Sequence, residues 1–296
     1  MTGPLRVLIS ADMEGIAGIV HPTETNPERY DYERGRRLMT AEVNAAIAGV
    51  LDAEPDAAVR VADAHGSFRN LLPEELDRRA RLVRGKPRPM GMLGGLGLPT
   101  FSDAGGSDDA SGSGEEGGVV LFVGYHARAG AGPAVLAHTM SDTVLDVRIN
   151  GRSLGEIGLN AAVAGHHGAP AVLLSGDDAA CAELNALVPA ALTVPVKFAL
   201  GQAAAETIHP EEARENLRAG AAVAVARRAQ VPPFTLTGPL QVEVDIYSPT
   251  TVDLAVLVPG VSRAPGARTV TFTAEDMPQA YSLIQLLVQL GTIKPA

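Results

Sequence analysis

Four short segments of this chain carry acids and histidines at spacings that suit metal chemistry. Asp12 and Glu14 stand two residues apart in SADMEG, and Asp63 and His65 repeat that spacing in ADAHG. His126 follows in VGYHA, and Glu156 lies in GEIGLN with Asn160 one helical turn beyond it. Two residues apart on an extended backbone, a pair of carboxylates points to one side. Clustered carboxylates raise one another's pKa values unless a cation offsets them, and imidazole is the usual nitrogen donor to zinc. Asp12, Glu14, His65, His126 and Glu156 therefore suit a pair of divalent ions roughly 3.5–4 Å apart, with one carboxylate, here Asp12, as the bridge. Such ions activate water to attack a peptide carbonyl, chemistry that aminopeptidases share with phosphatases and nucleases. Asn160, beside Glu156 on the same helix face, is a candidate to orient substrate.

Plainer roles compete with these. Asp12 and Glu14 could cap the turn that follows them, a single histidine is more often structural, and Glu156 could sit on a solvated helix face. His138, in LAHTM, could support a ligand, act as a general acid or base, or be a satisfied core histidine. His166 and His167 close a helical pattern, where a cation favours the dipole, and His21 and His209 precede prolines in loop-like contexts. Cys181 has no neighbour that would make it a thiolate.

The elements that must position these residues follow from hydrophobic pattern. LRVLISA ends at Ala11, just before Asp12, and reads as a buried strand delivering a loop. Ala57 to Gly66 and Gly118 to Ala127 repeat that grammar, each a strand whose far end carries a histidine. LDVRIN and PAVLLSG are further strands, and helical spacing runs over Tyr32 to Leu51 and over GEIGLNAAVAGHHG. Strands alternating with helices predict a mainly parallel sheet flanked by helices, with ligands bound beyond the carboxyl ends of the strands. The predicted catalytic α/β domain spans 1–192. A smaller α+β domain is predicted over 193–296, with a helix opening near Pro210, strand-like runs at Gln241 to Tyr247 and Val252 to Val258, then RTVTFTA and a final helix. Ser102 to Gly117, rich in glycine, serine and acid, reads as a solvated flexible loop without the ligand spacing of a calcium site.

Composition narrows the partners. A net charge of −10 argues against a nucleic-acid backbone, and the absence of Trp with 4% aromatics leaves few stacking platforms. With 296 residues and 46% hydrophobic composition the chain can bury a large core, and its single cysteine fits a reducing cytoplasm. No segment reads as a membrane span or a secretory leader. A small polar substrate fits better.

SADMEGIAG, YERGRRLMTAEVNAAI, VADAHGSFRNL, VGYHARAG, LAHTM, NGRSLGEIGLNAAVAG and LLSGDD occur in order. Through these blocks, and through the closing DMPQAYSLIQLL, the chain resembles the zinc-dependent D-aminopeptidases associated with bacterial dipeptide-transport operons. The resemblance implies two zinc ions per subunit held by Asp12, Glu14, His65, His126 and Glu156, with manganese or cobalt as substitutes, and a catalytic role for His138 as nucleophile or acid/base group. It also implies release of N-terminal D-amino acids from short peptides by a self-compartmentalising homo-oligomer, a decamer of two pentameric rings. The acidic stretch before Gly118 and the segment Gly130 to Pro133 depart from the family pattern. A two-metal phosphoesterase and a non-enzymatic assembly protein with structural zinc stand as alternatives.

Overall fold

Residues 3–98 and 118–293 are described in a computed structural model, and the stretch from Ser102 to Gly117 expected to be a flexible loop lies outside them. Seven strands form the first sheet: β1 (Arg6–Ala11), β2 (Ala58–Asp63), β3 (Arg81–Val83), β4 (Val119–Tyr125), β7 (Ala171–Asp177), β8 (Leu192–Gly201) and β9 (Ala204–Thr207), in the order β3-β2-β1-β4-β7-β8-β9. All its neighbours run parallel except the edge pair β8 and β9. Every residue of β4 and β7 is buried, which is why both read as unbroken apolar runs rather than alternating ones. Helices α2 (Tyr32–Ala53) and α5 (Pro210–Ala226) pack on each other and on this sheet, as do α3 (Glu156–His166) and α4 (Asp178–Leu187).

The second sheet is antiparallel and holds β5 (Val144–Ile149), β6 (Arg152–Ser153), β10 (Leu240–Ile246), β11 (Ser262–Arg263) and β12 (Thr269–Ala274), in the order β11-β12-β10-β5-β6. Helices α6 (Pro249–Ala255) and α7 (Met277–Gly291) pack against it. A mainly parallel α/β sheet with a smaller antiparallel companion is thus the architecture, as the sequence pattern predicted. The division does not fall at residue 192, however. β8, β9 and α5 complete the first sheet and its covering layer, while β5 and β6, from the middle of the chain, join the second. Strand pairing between distant segments decides sheet membership, and local pattern carries no information about it. Val252 to Val258, expected as a strand, begins inside α6: Pro249 occupies the first turn, where its fixed φ suits a helix, and Ser248 precedes it.

The path from β1 to β2 moves one way across the first sheet and the path to β4 moves the other. β1 and β4 are direct neighbours, so the chain reverses its winding direction between them. A crevice opens at such a switch point, beyond the carboxyl ends of the strands. Asp12 follows β1 and His126 follows β4, at the two lips of that crevice.

Candidate metal centre

Beyond Ala11 the chain does not continue as a strand. Asp12 donates its N–H to the Val123 carbonyl at 2.8 Å and Gly15 donates to Gly124 at 2.7 Å, so the SADMEG turn lies along the end of β4. Its closeness is possible only with glycine on both sides. A Cβ at Gly15 would fall on the Tyr125 carbonyl, and Gly124 has φ +71°, with its own missing Cβ facing Asp12 and Ile16. Asp12 and Glu14 do converge, but through this turn rather than through the two-residue period of an extended strand.

Asp12, Glu14, His126 and Glu156 are all buried. His65 Nδ1 lies 3.3 Å from Asp12 Oδ1 and 3.0 Å from Glu14 Oε2. His126 Nε2 lies 3.5 Å from Asp12 Oδ2 and 3.4 Å from Glu156 Oε1. Asp12 therefore turns one oxygen toward each histidine. Glu156 opens α3, where the helix dipole favours an anion, and its Oε1 accepts the Met140 N–H at 2.5 Å.

The opposite nitrogen of each imidazole fixes its tautomer. His65 Nε2 donates to the Thr25 carbonyl at 2.9 Å, His126 Nδ1 to the Ala127 carbonyl at 3.0 Å, and His138 Nδ1 to the Leu136 carbonyl at 2.9 Å. A carbonyl can only accept, so in the neutral ring the remaining nitrogen of each presents a lone pair to the carboxylates. Lone pairs facing carboxylates require positive charge between them. Among the described residues His126 Nε2 is buried without a hydrogen-bond partner. Ligand atoms about 2.0–2.1 Å from a tetrahedral zinc stand roughly 3.3 Å apart. The spacings around Asp12 match that edge, and the imidazole and carboxylate donors suit zinc.

The electrostatics agree. Burial and the neighbouring Glu14 push Asp12 up to about 7. Burial would also raise Glu14 and Glu156, but His65 acting on the first and His126 on the second hold both below the ordinary carboxylate range. Burial works against charge on His65 and His126 too, yet the surrounding carboxylates keep both imidazoles well above their usual value. The acids thus hold protons on the two rings, the charge that a divalent ion would replace.

His138 stacks on His126 with ring centroids 4.1 Å apart, and its Nε2 lies 3.8 Å from Glu156 Oε1. Its side chain is 23% exposed, so a substrate could reach it. Asn160 is a correction. It is fully buried: its Nδ2 donates to the Tyr125 hydroxyl at 3.2 Å and to Met92 sulfur at 3.1 Å, while its Oδ1 accepts from Tyr281. Both ends of the amide are spent in the core, which leaves nothing for substrate. The i, i+4 relation to Glu156 placed the two on one helix face in sequence, but Glu156 sits on the first turn at the crevice and Asn160 a turn deeper.

Several supporting residues carry little sequence signal. Asp63 accepts the N–H groups of Asn70 and Leu71, and Asn70 Nδ2 donates to the His65 carbonyl, which folds the His65 loop back on itself. Glu183 accepts the Arg128 N–H at 2.9 Å, two residues past His126. Asp63 is marked by its spacing to His65, and the signal that could have found one more is Lys197, a lone lysine inside the apolar run VPVKFAL.

A parallel-sheet α/β scaffold with an acid and histidine cluster at its switch point is the architecture of a hydrolytic metalloenzyme. Comparison with known proteins makes this specific: the chain belongs to the Peptidase_M55 family, described as D-aminopeptidase, whose model matches residues 5–104 and 109–286. It is 34% identical over 287 residues to a D-aminopeptidase of Bacillus subtilis (strain 168), covering 97% of this chain and 98% of that protein. A solved structure described as the Zn-dependent D-aminopeptidase DppA from Bacillus subtilis, a self-compartmentalizing protease, superposes with a TM-score of 0.89 at 32% identity, covering 99% of this chain and all of that one. Neither the phosphoesterase nor the purely structural reading is favoured by these likenesses. Among the described residues no helix is long and apolar enough to cross a membrane.

Proposed function

We propose that the chain is a two-zinc aminopeptidase that removes N-terminal D-amino acids from short peptides. The observation that carries this reading is the division of the cluster into two groups sharing Asp12: His65 with Glu14 on one oxygen, and His126 with Glu156 on the other. Donor atoms of Asp12, Glu14 and His126 lie within 4.8 Å of one another, as do those of His126, His138 and Glu156; these triplets meet at His126 and leave out His65, whose closeness to both Asp12 and Glu14 is what places it with the first pair. Asp12, Glu14, His65, His126 and Glu156 would hold the ions. Bound zinc supplies Lewis acidity toward a peptide carbonyl and lowers the pKa of water to about 7.

What the chain itself contributes is position and proton handling. The Thr25 and Ala127 carbonyls lock two imidazoles in the ligating tautomer, as outer hydrogen bonds do in metal sites generally. His138, with Nδ1 engaged and Nε2 free toward Glu156, is placed to take or give a proton at Nε2. The buried rims of β1 and β4 keep bulk water from the carboxylates. The relative's self-compartmentalizing character supports a homo-oligomer, with a decamer of two pentameric rings as the specific form.

Metal analysis and hydrolysis of matched D- and L-aminoacyl peptides test this directly. Two equivalents of zinc per chain, loss of activity on chelation, recovery with zinc, manganese or cobalt, and preference for the D-peptide are expected. Full activity in metal-free protein, or turnover of aryl phosphates in place of peptides, would overturn it.

A further inference from the structure

Lys197, in the middle of β8, is completely buried, and no step described above uses it. Its ammonium donates to the backbone carbonyls of Glu14, Ile16 and Ile19, the last two at 3.0 and 2.6 Å. An ammonium has three donors, so all are spent on one irregular segment of six residues that begins with Glu14. From the other side, Glu42 on α2, also buried, accepts the Ala17 N–H on Oε1 at 2.8 Å, while its Oε2 has no hydrogen-bond partner among the described residues. Among the carboxylates whose charge acts on Lys197, Asp177 comes first and Glu42 second. Thr207 on β9 accepts the Gly18 N–H at 2.9 Å. Buried charge is an expensive way to stabilise a core, since well-packed apolar side chains commonly do as well or better. A single side chain that gathers three carbonyls of one loop has a use that apolar packing cannot supply: it dictates the loop's path.

We propose that Lys197, with Glu42 holding the Ala17 N–H of the same segment, is a positioning device that sets the divalent-ion affinity of the site by holding the Glu14 segment in its ligating conformation; this rests on the reading of Asp12 and Glu14 as metal ligands. Without the ammonium the three carbonyls lose their common partner, and the segment must turn them toward other donors, carrying Glu14 away from His65. Outer groups that orient ligands typically change metal affinity or activity 10- to 100-fold when removed.

The test is titration of the metal-free chain with cobalt(II), whose visible spectrum reports ligand geometry, together with steady-state kinetics of the zinc-loaded protein at pH 8. Lys197→Met is expected to bind cobalt at least about tenfold more weakly, with an altered spectrum, and to lose at least about tenfold in kcat while KM stays within about threefold. A merely structural lysine would lower the melting temperature and leave the spectrum and kcat of the folded protein unchanged; that result overturns the proposal. Should Lys197→Met not fold, Glu42→Gln decides. It keeps the acceptor for Ala17 and removes a charge that acts on Lys197, so weaker cobalt binding supports the device and wild-type affinity overturns it. A wild-type chain that binds no cobalt overturns the metal-site reading and this inference with it, whereas normal wild-type binding beside unchanged variants overturns the positioning role alone.

Discussion

At the scale of the residue, each histidine of the cluster sets one nitrogen on a backbone carbonyl and turns the other toward the carboxylates. His138 is more exposed than His65 and His126, with 23% of its side chain accessible against 12% and 1%, and lies farther from its carboxylate, 3.8 Å against 3.0–3.5 Å. On the proposed reading this makes His138 a proton-transfer group and the other two ligands. His138→Ala should lower kcat by about 10²–10⁴, with metal content per chain unchanged by elemental analysis; a proportionate loss of metal would make it a ligand instead. Asn160→Ala takes a partner from Tyr125 and Tyr281 and should cost about 1–3 kcal/mol in urea denaturation. Turnover per folded molecule should stay within about threefold, because the amide does not meet substrate. Glu42 carries a pH signature: burial, only partly offset by the Ala17 N–H and Lys197, pushes its carboxyl from 4.5 to about 7. A carboxyl raised on folding contributes stability that is fully present below pH 4.5 and lost as pH rises through about 7. Between pH 5 and 8 the stability of Glu42→Gln should therefore rise relative to wild type, by up to about 3 kcal/mol. Parallel urea midpoints over that range would refute the assignment.

At the scale of the element, the site depends on how ends of strands meet rather than on any one loop. The turn after β1 and the end of β4 approach so closely that Gly124 must adopt φ +71° with no side chain. Gly124→Ala introduces both left-handed strain and a clash with Asp12 and Ile16, and should destabilise the protein by at least about 1–3 kcal/mol. The clash is with the ligand turn itself, so metal content after dialysis should fall as well; thermal melts beside zinc analysis check both. The β8–β9 hairpin plays a comparable part for His138. Gln202 at its tip accepts the Leu136 N–H and donates Nε2 to the Ala137 carbonyl, bracing the segment in which Leu136 and Met140 both have positive φ. Short elements were the hardest to read. Val252 to Val258 is as apolar as a strand, and only Pro249 ahead of it marked the helix.

At the scale of the whole molecule, two sheets share one chain without dividing it at a single point. Large apolar side chains remain exposed around the antiparallel sheet's helices: Tyr247 at 62%, Leu257 at 76% and Leu286 at 45%. A homo-oligomer would cover such residues. Sedimentation should give a mass that is a multiple of 30.6 kDa, and Leu257→Glu should shift it toward the single chain. A wild-type monomer at micromolar concentration would remove the assembly from the proposed function.

The chemistry of this protein was legible in its sequence because strand ends are local features: an apolar run, then an acid or histidine, read the same in any context. Asp12, Glu14, His65, His126 and Glu156 could be named from residue type and spacing, and the ordered blocks around them pointed to the family. Their convergence needed the strand order, which places β1 beside β4 through pairing over more than a hundred residues of chain. Asn160 shows the limit from one side, since helical spacing gives a face but not the depth to which it is buried. Lys197 shows it from the other, a lysine of β8 that finds its three carbonyls some 180 residues earlier. Only the folded chain brings a charge and a loop so far apart in sequence into one buried contact, because burial and pairing are properties of the whole packing and not of any segment.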